Sequence, residues 1–268
     1  MDRCATKYPI VLIHGIGYSD EENPDYWGPV PGALREEGAR VFFGCQSAES
    51  PVAENARQLR ENIENICKEA ETDKVNLIAH SKGGIEARYM ISVLGGDRFT
   101  ASLTTIATPH RGISAIDDMK TKKPRLLSGL YSFFSLITRM AGGKPPKDGK
   151  VYDQMSSDYM KIFNELVPDS PGVYYQSYAC DMKHMRKDAA LALFYGIVRV
   201  LEGPNDGFVS IESAKWGDFK GVYAGERGKG ISHSIATGGR PVSADLHRTG
   251  DISEFYVRIV SELRNMGF

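Results

Sequence analysis

The sequence predicts an α/β protein with a mostly parallel sheet covered by helices on both faces. Short apolar runs bounded by turn residues recur along the chain, as buried parallel strands do. Stretches with helical apolar spacing lie between them, the alternation that builds such a sheet. The strand candidates are IVLI at 10–13, VFF at 41–43, VNLIA at 75–79, LTTIA at 103–107 and VYYQSYA at 173–179.

Taken in order, the first strand is reached within eight residues of Met1, the pattern of a chain without a leader. A cytoplasmic protein is expected, or a secreted one if this is a processed mature form. After the turn at Ser50 and Pro51, Leu59, Ile63, Ile66 and Ala70 fall on one helical face. VNLI is followed by the helical stretch IEARYMISVL. A compositional shift marks about 113–150: Lys120, Lys122, Lys123, Pro124 and Arg125 precede Leu126, Leu127, Leu130, Tyr131, Phe133, Phe134, Ile137 and Met140, and Gly142 to Pro146 close it. This reads as an insertion inside one domain spanning 1–268. It is either a lid that opens at a lipid–water interface or a fixed cap whose apolar side is core. The last helix is the most regular, with Ile252, Phe255, Tyr256, Ile259, Val260 and Leu263 at i, i+3, i+4, i+7, i+8 and i+11.

Composition narrows the partners. Of the 268 residues, 41% are apolar and 25% charged, which excludes disordered and fibrous classes. A formal net charge of −1 with no dense Lys/Arg stripe argues against nucleic acid. No run of 18 apolar residues calls for a membrane span. Cys4, Cys45, Cys67 and Cys180 are widely spaced with no CxxC pair, so free buried thiols are expected, although the even number leaves a disulfide open.

The chemical signal is Ala79-His80-Ser81-Lys82-Gly83-Gly84, between the strand VNLI and a helix. A serine at a sharp strand-to-helix turn holds its hydroxyl up at the sheet's edge, and small residues two before and two after let the backbone pass close. Ser81 is therefore the expected nucleophile, with Ala79 where glycine is usual. Attack on an acyl carbon creates an oxyanion that needs two N–H donors. The Lys82 amide at the helix start and the Ile16 amide in His14-Gly15-Ile16-Gly17 are the candidates.

The segments PIVLIHGIG, EEGARVFF, DKVNLIAHSKGGIEARYM, LTTIATPHRG and PNDGFVS occur in this order. The run resembles the bacterial true lipases of the Pseudomonas and Burkholderia type, strongly over residues 8–112 and more thinly beyond. The resemblance implies the α/β-hydrolase fold and hydrolysis of triacylglycerols and simpler esters. It maps the acid of the triad to Asp206 and the oxyanion amides to Ile16 and Lys82.

A serine nucleophile needs a histidine base and an acid, and chain order in this fold is Ser, acid, His. That order discards His14, His80 and His110. It leaves His233 and His247, while His184 would fit only with Asp181 as acid. His247, just before the final helix, is the expected base; His233, in the glycine-rich loop 228–239, is the alternative. Asp206 in Pro204-Asn205-Asp206-Gly207 is the expected acid, with Asp181 after VYYQSYA as runner-up. The resembled family places a structural calcium on an aspartate two residues after its histidine. Here that position is Thr249, so no metal or cofactor is expected. The expected reaction is hydrolysis of esters with lipid-like acyl chains through an acyl-enzyme. Depolymerisation of polyesters, thioester cleavage and acyl transfer would use the same triad, and a non-catalytic ligand-binding module is the reading from outside enzymes. Dehalogenases and epoxide hydrolases of this fold use a carboxylate at the elbow, where this chain has Ser81.

Overall fold

In the computed structural model, which describes residues 2–122, 124–140, 142–225, 228–238 and 250–268, six strands form one sheet. They are β1 (Ile10–Ile13), β2 (Val41–Phe43), β3 (Val75–His80), β4 (Thr100–Ile106), β5 (Tyr174–Cys180) and β6 (Asp218–Tyr223), in the order β2-β1-β3-β4-β5-β6. Every neighbouring pair is parallel. β1, β3 and β4 are buried at every residue, as strands covered on both faces must be, which is why their sequences are continuous apolar or small runs rather than alternating ones. β6, an edge strand, has no clear strand pattern in the sequence: Asp218, Lys220 and Val222 are exposed, and Gly221 interrupts it.

The helices are α1 (Val30–Glu36), α2 (Val52–Glu69), α3 (Lys82–Val93), α4 (Ser114–Lys122), α5 (Pro124–Met140), α6 (Lys150–Asp153), α7 (Ser157–Leu166), α8 (Ala192–Glu202), α9 (Ile211–Ala214) and α10 (Gly250–Asn265). One face of the sheet, with Ile10, Leu12 and Ile78, packs against Leu34 of α1 and Tyr256 and Val260 of α10. The other, with Val11, Ile13 and Leu77, meets Leu59 and Ile63 of α2 and Met90 of α3. These layers match the expected doubly covered sheet. A third cluster lies beyond the strand ends, where Ile113, Ile116, Phe134, Tyr152, Met155 and Phe194 pack together. The 113–150 segment thus contains two helices and sits over the carboxyl end of the sheet. Among the described residues no helix is long and apolar enough to cross a membrane. All four cysteines are free; Cys4, Cys67 and Cys180 are buried and Cys45 is exposed.

Candidate active site

Ser81 occupies the turn between β3 and α3 with φ 56° and ψ −131°, a conformation that L-residues avoid and that nucleophile elbows use. Its surroundings over-determine it. The Ser81 N–H donates to the Ile106 carbonyl at 3.1 Å, and Thr108 Oγ1 donates to the Ser81 carbonyl at 2.8 Å. The two glycines after Lys82 let α3 approach: a Cβ on Gly83 would fall 2.3 Å from the His14 carbonyl oxygen, and one on Gly84 would fall 2.3 Å from Thr108 Oγ1. Ala79 is wholly buried, so the methyl group replacing the usual glycine hydrogen is accommodated in the core.

Asp206 is fully buried at the turn following α8. Its Oδ1 accepts the amides of Phe208 at 3.0 Å and Val209 at 2.8 Å, and its Oδ2 accepts from His233 Nδ1 at 2.7 Å. Because the carboxylate can only accept, Nδ1 carries the proton of the neutral imidazole. Nε2 is then free to accept the Ser81 hydroxyl, and it stands 2.9 Å from Ser81 Oγ. The backbone repeats the pairing, since the His233 N–H donates to the Asp206 carbonyl at 2.8 Å. The short helical turn His233–Ile235 is moored further on, where the Tyr256 hydroxyl of α10 donates to the Ala236 carbonyl at 2.9 Å.

Among the described residues, the contacts expected of His247 are made by His233. A base must reach the hydroxyl and the carboxylate together, and both His233 ring nitrogens do so, leaving those atoms engaged. His247 lies outside the described residues. Chain order admitted either histidine. Proximity to the last helix favoured His247, whereas the carboxylate and the hydroxyl that His233 meets lie 27 and 152 positions away from it. Asp181 accepts from the Lys183 amide at 2.9 Å and pairs with Lys183 Nζ at 2.7 Å, a local turn at the end of β5. His110 braces the loop after β4, sharing a 2.8 Å hydrogen bond with Thr105 Oγ1 and stacking on Trp216. His80 is buried and packed, yet it faces the site: its ring centroid is 4.6 Å from that of His233. The residue two after His233 is Ile235, which offers a calcium ion no carboxylate. Among the described residues no group of three His, Cys, Asp or Glu side chains could hold a metal.

Both candidate oxyanion segments converge on Ser81. A Cβ on Gly15 would lie 3.0 Å from Ser81 Cβ, so the His14–Gly17 loop crosses directly beside the nucleophile. Lys82 is the first residue of α3, and its N–H has no acceptor within the helix. Its side chain is fully buried, donates from Nζ to the Ser50 carbonyl at 2.9 Å and pairs with Glu86. Glu86 also accepts from Asn55 Nδ2 at 2.7 Å and from Gln46 Nε2 at 3.3 Å. Gln46 Nε2 donates to the His14 carbonyl at 2.9 Å, which joins the Lys82 network to the His14–Gly17 loop.

The sequence model of the palmitoyl protein thioesterase family matches residues 9–183. The chain belongs to this family of α/β-hydrolases. Among its relatives, a triacylglycerol lipase of Vibrio cholerae is 30% identical over 238 residues, covering 79% of this chain and 75% of that one. Triacylglycerol lipase 2 of Saccharomyces cerevisiae is 29% identical over 260 residues, covering 91% and 74%. The mature lipase BlEst2 of Bacillus licheniformis shares the fold, with a TM-score of 0.67 at 21% identity over 85% of this chain and 86% of that one. Relatives in Vibrio and yeast make the kinship one of α/β-hydrolase lipases broadly, wider than the Pseudomonas and Burkholderia type.

In this hydrolase the Ser81 hydroxyl opens into a cavity of about 300 Å³. Its lining is mostly apolar and includes Ile16, Ile113, Ile116, Phe134, Met155 and Phe208, with Tyr18, Asn23, Asp188 and Ser234 among its polar residues. Phe134 comes from α5, so the 113–150 segment contributes to the cavity lining. The end of that segment is tied to the first loop: Lys144 N–H donates to the Gly17 carbonyl at 2.7 Å, and Asn23 Nδ2 donates to the Gly142 carbonyl at 2.8 Å.

Proposed function

We propose that the chain hydrolyses carboxylic esters of lipid-like acyl chains through an acyl-enzyme on Ser81. The observation that carries this is His233 bridging Ser81 Oγ at 2.9 Å and Asp206 at 2.7 Å beside a largely apolar cavity. His233 Nε2 takes the Ser81 proton as Oγ adds to the acyl carbon. The resulting oxyanion is met by the N–H groups of Ile16 and Lys82. The imidazolium, stabilised by Asp206, returns its proton to the departing alcohol as the carbon–oxygen bond breaks. A water molecule deprotonated by His233 then releases the acid and restores Ser81.

The mostly apolar lining supports a hydrocarbon acyl group, and the polar residues within it support an alcohol part with hydrogen-bonding groups. The motif order and the lipase relatives support a glyceride ester, as in bacterial true lipases. In this reading the α4–α5 segment acts as a lid, held shut through Gly17 and Gly142 and displaced at a lipid surface. A second reading, cleavage of acyl thioesters by the same steps, is favoured by the match to the palmitoyl protein thioesterase family.

The test is turnover of p-nitrophenyl esters of short, medium and long chains, emulsified triglyceride and an acyl thioester, by wild type and Ser81→Ala. Turnover of longer chains that vanishes in Ser81→Ala supports the proposal, and faster turnover of emulsified than of dissolved substrate supports the lid. Preference for the thioester selects the second reading. Absence of turnover by wild type on every substrate overturns both.

A further inference from the structure

Asp188 is a buried carboxylate among the residues that line the cavity, outside the Ser81–His233–Asp206 relay. It follows the helical turn Met185–Lys187 and precedes α8, 44 positions before Ser232 and 46 before Ser234. Its Oδ2 accepts from Ser232 Oγ at 2.9 Å and from Ser234 Oγ at 2.6 Å. Its Oδ1 accepts the Ala190 amide at 3.1 Å. The residue between the two serines is His233.

Burying a carboxylate costs free energy unless its oxygens are bonded. Here two of its three donors are the hydroxyls on either side of the base, in charge-assisted bonds stronger than neutral ones. On the other side, the His233 amide is held by the Asp206 carbonyl at 2.8 Å. Apart from the Tyr256 hydroxyl that holds the Ala236 carbonyl, the segment bearing the base is a single helical turn with little of its own to fix a ring. We propose that Asp188 is a positioning residue: by gripping Ser232 and Ser234 it fixes His233 where one ring nitrogen meets Asp206 and the other meets Ser81. The inference rests on the relay proposed above. Asp188 touches no reacting atom and acts through the loop.

The experiment compares wild type, Asp188→Ala, Asp188→Asn, the double variant Ser232→Ala/Ser234→Ala and His233→Ala. Each is assayed for kcat and KM on a p-nitrophenyl ester. Proton NMR follows the low-field resonance of the His233 Nδ1 proton shared with Asp206, identified by its loss in His233→Ala. Asp188→Ala and the double serine variant are expected to lower kcat by roughly ten- to a hundredfold, the scale of a small misplacement of a catalytic group, with KM within about twofold. Both should broaden or abolish the low-field resonance. Asp188→Asn, which keeps one acceptor oxygen, should fall between.

Retention of kcat within about threefold and of the resonance in both variants overturns the proposal. So does a rise in KM alone, which would make Asp188 a substrate contact, or a fall in kcat with the resonance intact. If Asp188→Ala does not fold, the double serine variant decides, because it removes the grip while leaving the carboxylate in place. If wild type hydrolyses no ester, the relay reading has failed, and the resonance alone decides whether Asp188 fixes the ring.

Discussion

Tyr26 Oη and His80 Nδ1 share a hydrogen bond of 2.6 Å, and the same phenol oxygen accepts the Gly15 amide at 2.9 Å. One side chain thus links the loop carrying Ile16 to the residue preceding Ser81, the two segments whose backbone would bind the oxyanion. Burial raises the Tyr26 pKa well above the usual phenol value, so the group stays protonated through the working range. In Tyr26→Phe the Gly15 N–H and His80 Nδ1 lose this partner, which costs about 1–3 kcal/mol for each buried polar group left unsatisfied. Urea unfolding should register that loss, and kcat should fall on the order of tenfold as the two loops lose their common reference. Unchanged stability and kcat would remove Tyr26 from the site.

The two histidines that chain order admits are separated by their alanine variants. His233→Ala should lower kcat by at least roughly 10⁴, and Asp206→Asn should lower it by roughly 10⁴ through loss of the correct imidazole tautomer. His247→Ala should keep kcat near wild type. Activity that survives in His233→Ala and disappears in His247→Ala would reverse the assignment.

What the sequence discloses and what it withholds follow from where the determining contacts lie. β1, β3 and the elbow are readable because burial on both faces forces continuous apolar runs, and because the turn around Ser81 needs small residues at fixed neighbouring positions. The last helix is readable for the same local reason, its apolar stripe at 3.6-residue spacing. β6 is an edge strand whose exposed Asp218 and Lys220 dilute any pattern. The contacts around His233 come from far along the chain: its ring meets Asp206 and Ser81, and the serines flanking it meet Asp188. Nothing within a few residues of His233 distinguishes it from another loop histidine. The Ser-His-Ser triplet becomes informative only once a buried acceptor is seen facing both hydroxyls.

Lys82 and Glu86 form an ion pair in which both side chains are almost wholly buried, 1% and 2% exposed. Removing one partner leaves the other charge stranded without solvent, so Glu86→Leu should destabilise the fold by about 3–5 kcal/mol. Replacing both, in Lys82→Met/Glu86→Leu, should recover most of that loss, since the desolvation of two charges goes with them. Urea denaturation of the single and double variants measures both. A single variant as stable as wild type would show that solvent reaches the pair.

Two histidines make stability depend on pH in a definite direction. Burial pushes the pKa of His80 well below the usual imidazole value, with the neighbouring His233 adding to it. Burial does the same to His110, reinforced by the positive charges of Arg88 and Arg111. Both rings are therefore neutral in the folded chain, whereas in the unfolded chain they take up a proton near pH 6.5. Below about pH 6.5 the unfolded state binds more protons than the folded one, so stability is complete above that pH and is lost as pH falls toward the depressed folded values. The limiting slope is about 1.4 kcal/mol per pH unit for each histidine. Urea midpoints at about pH 7.5 and about pH 5.5 should show the fall, and replacing His110 with Gln should remove about half of the slope. A midpoint that does not move across this window would mean that solvent reaches both rings in the folded protein.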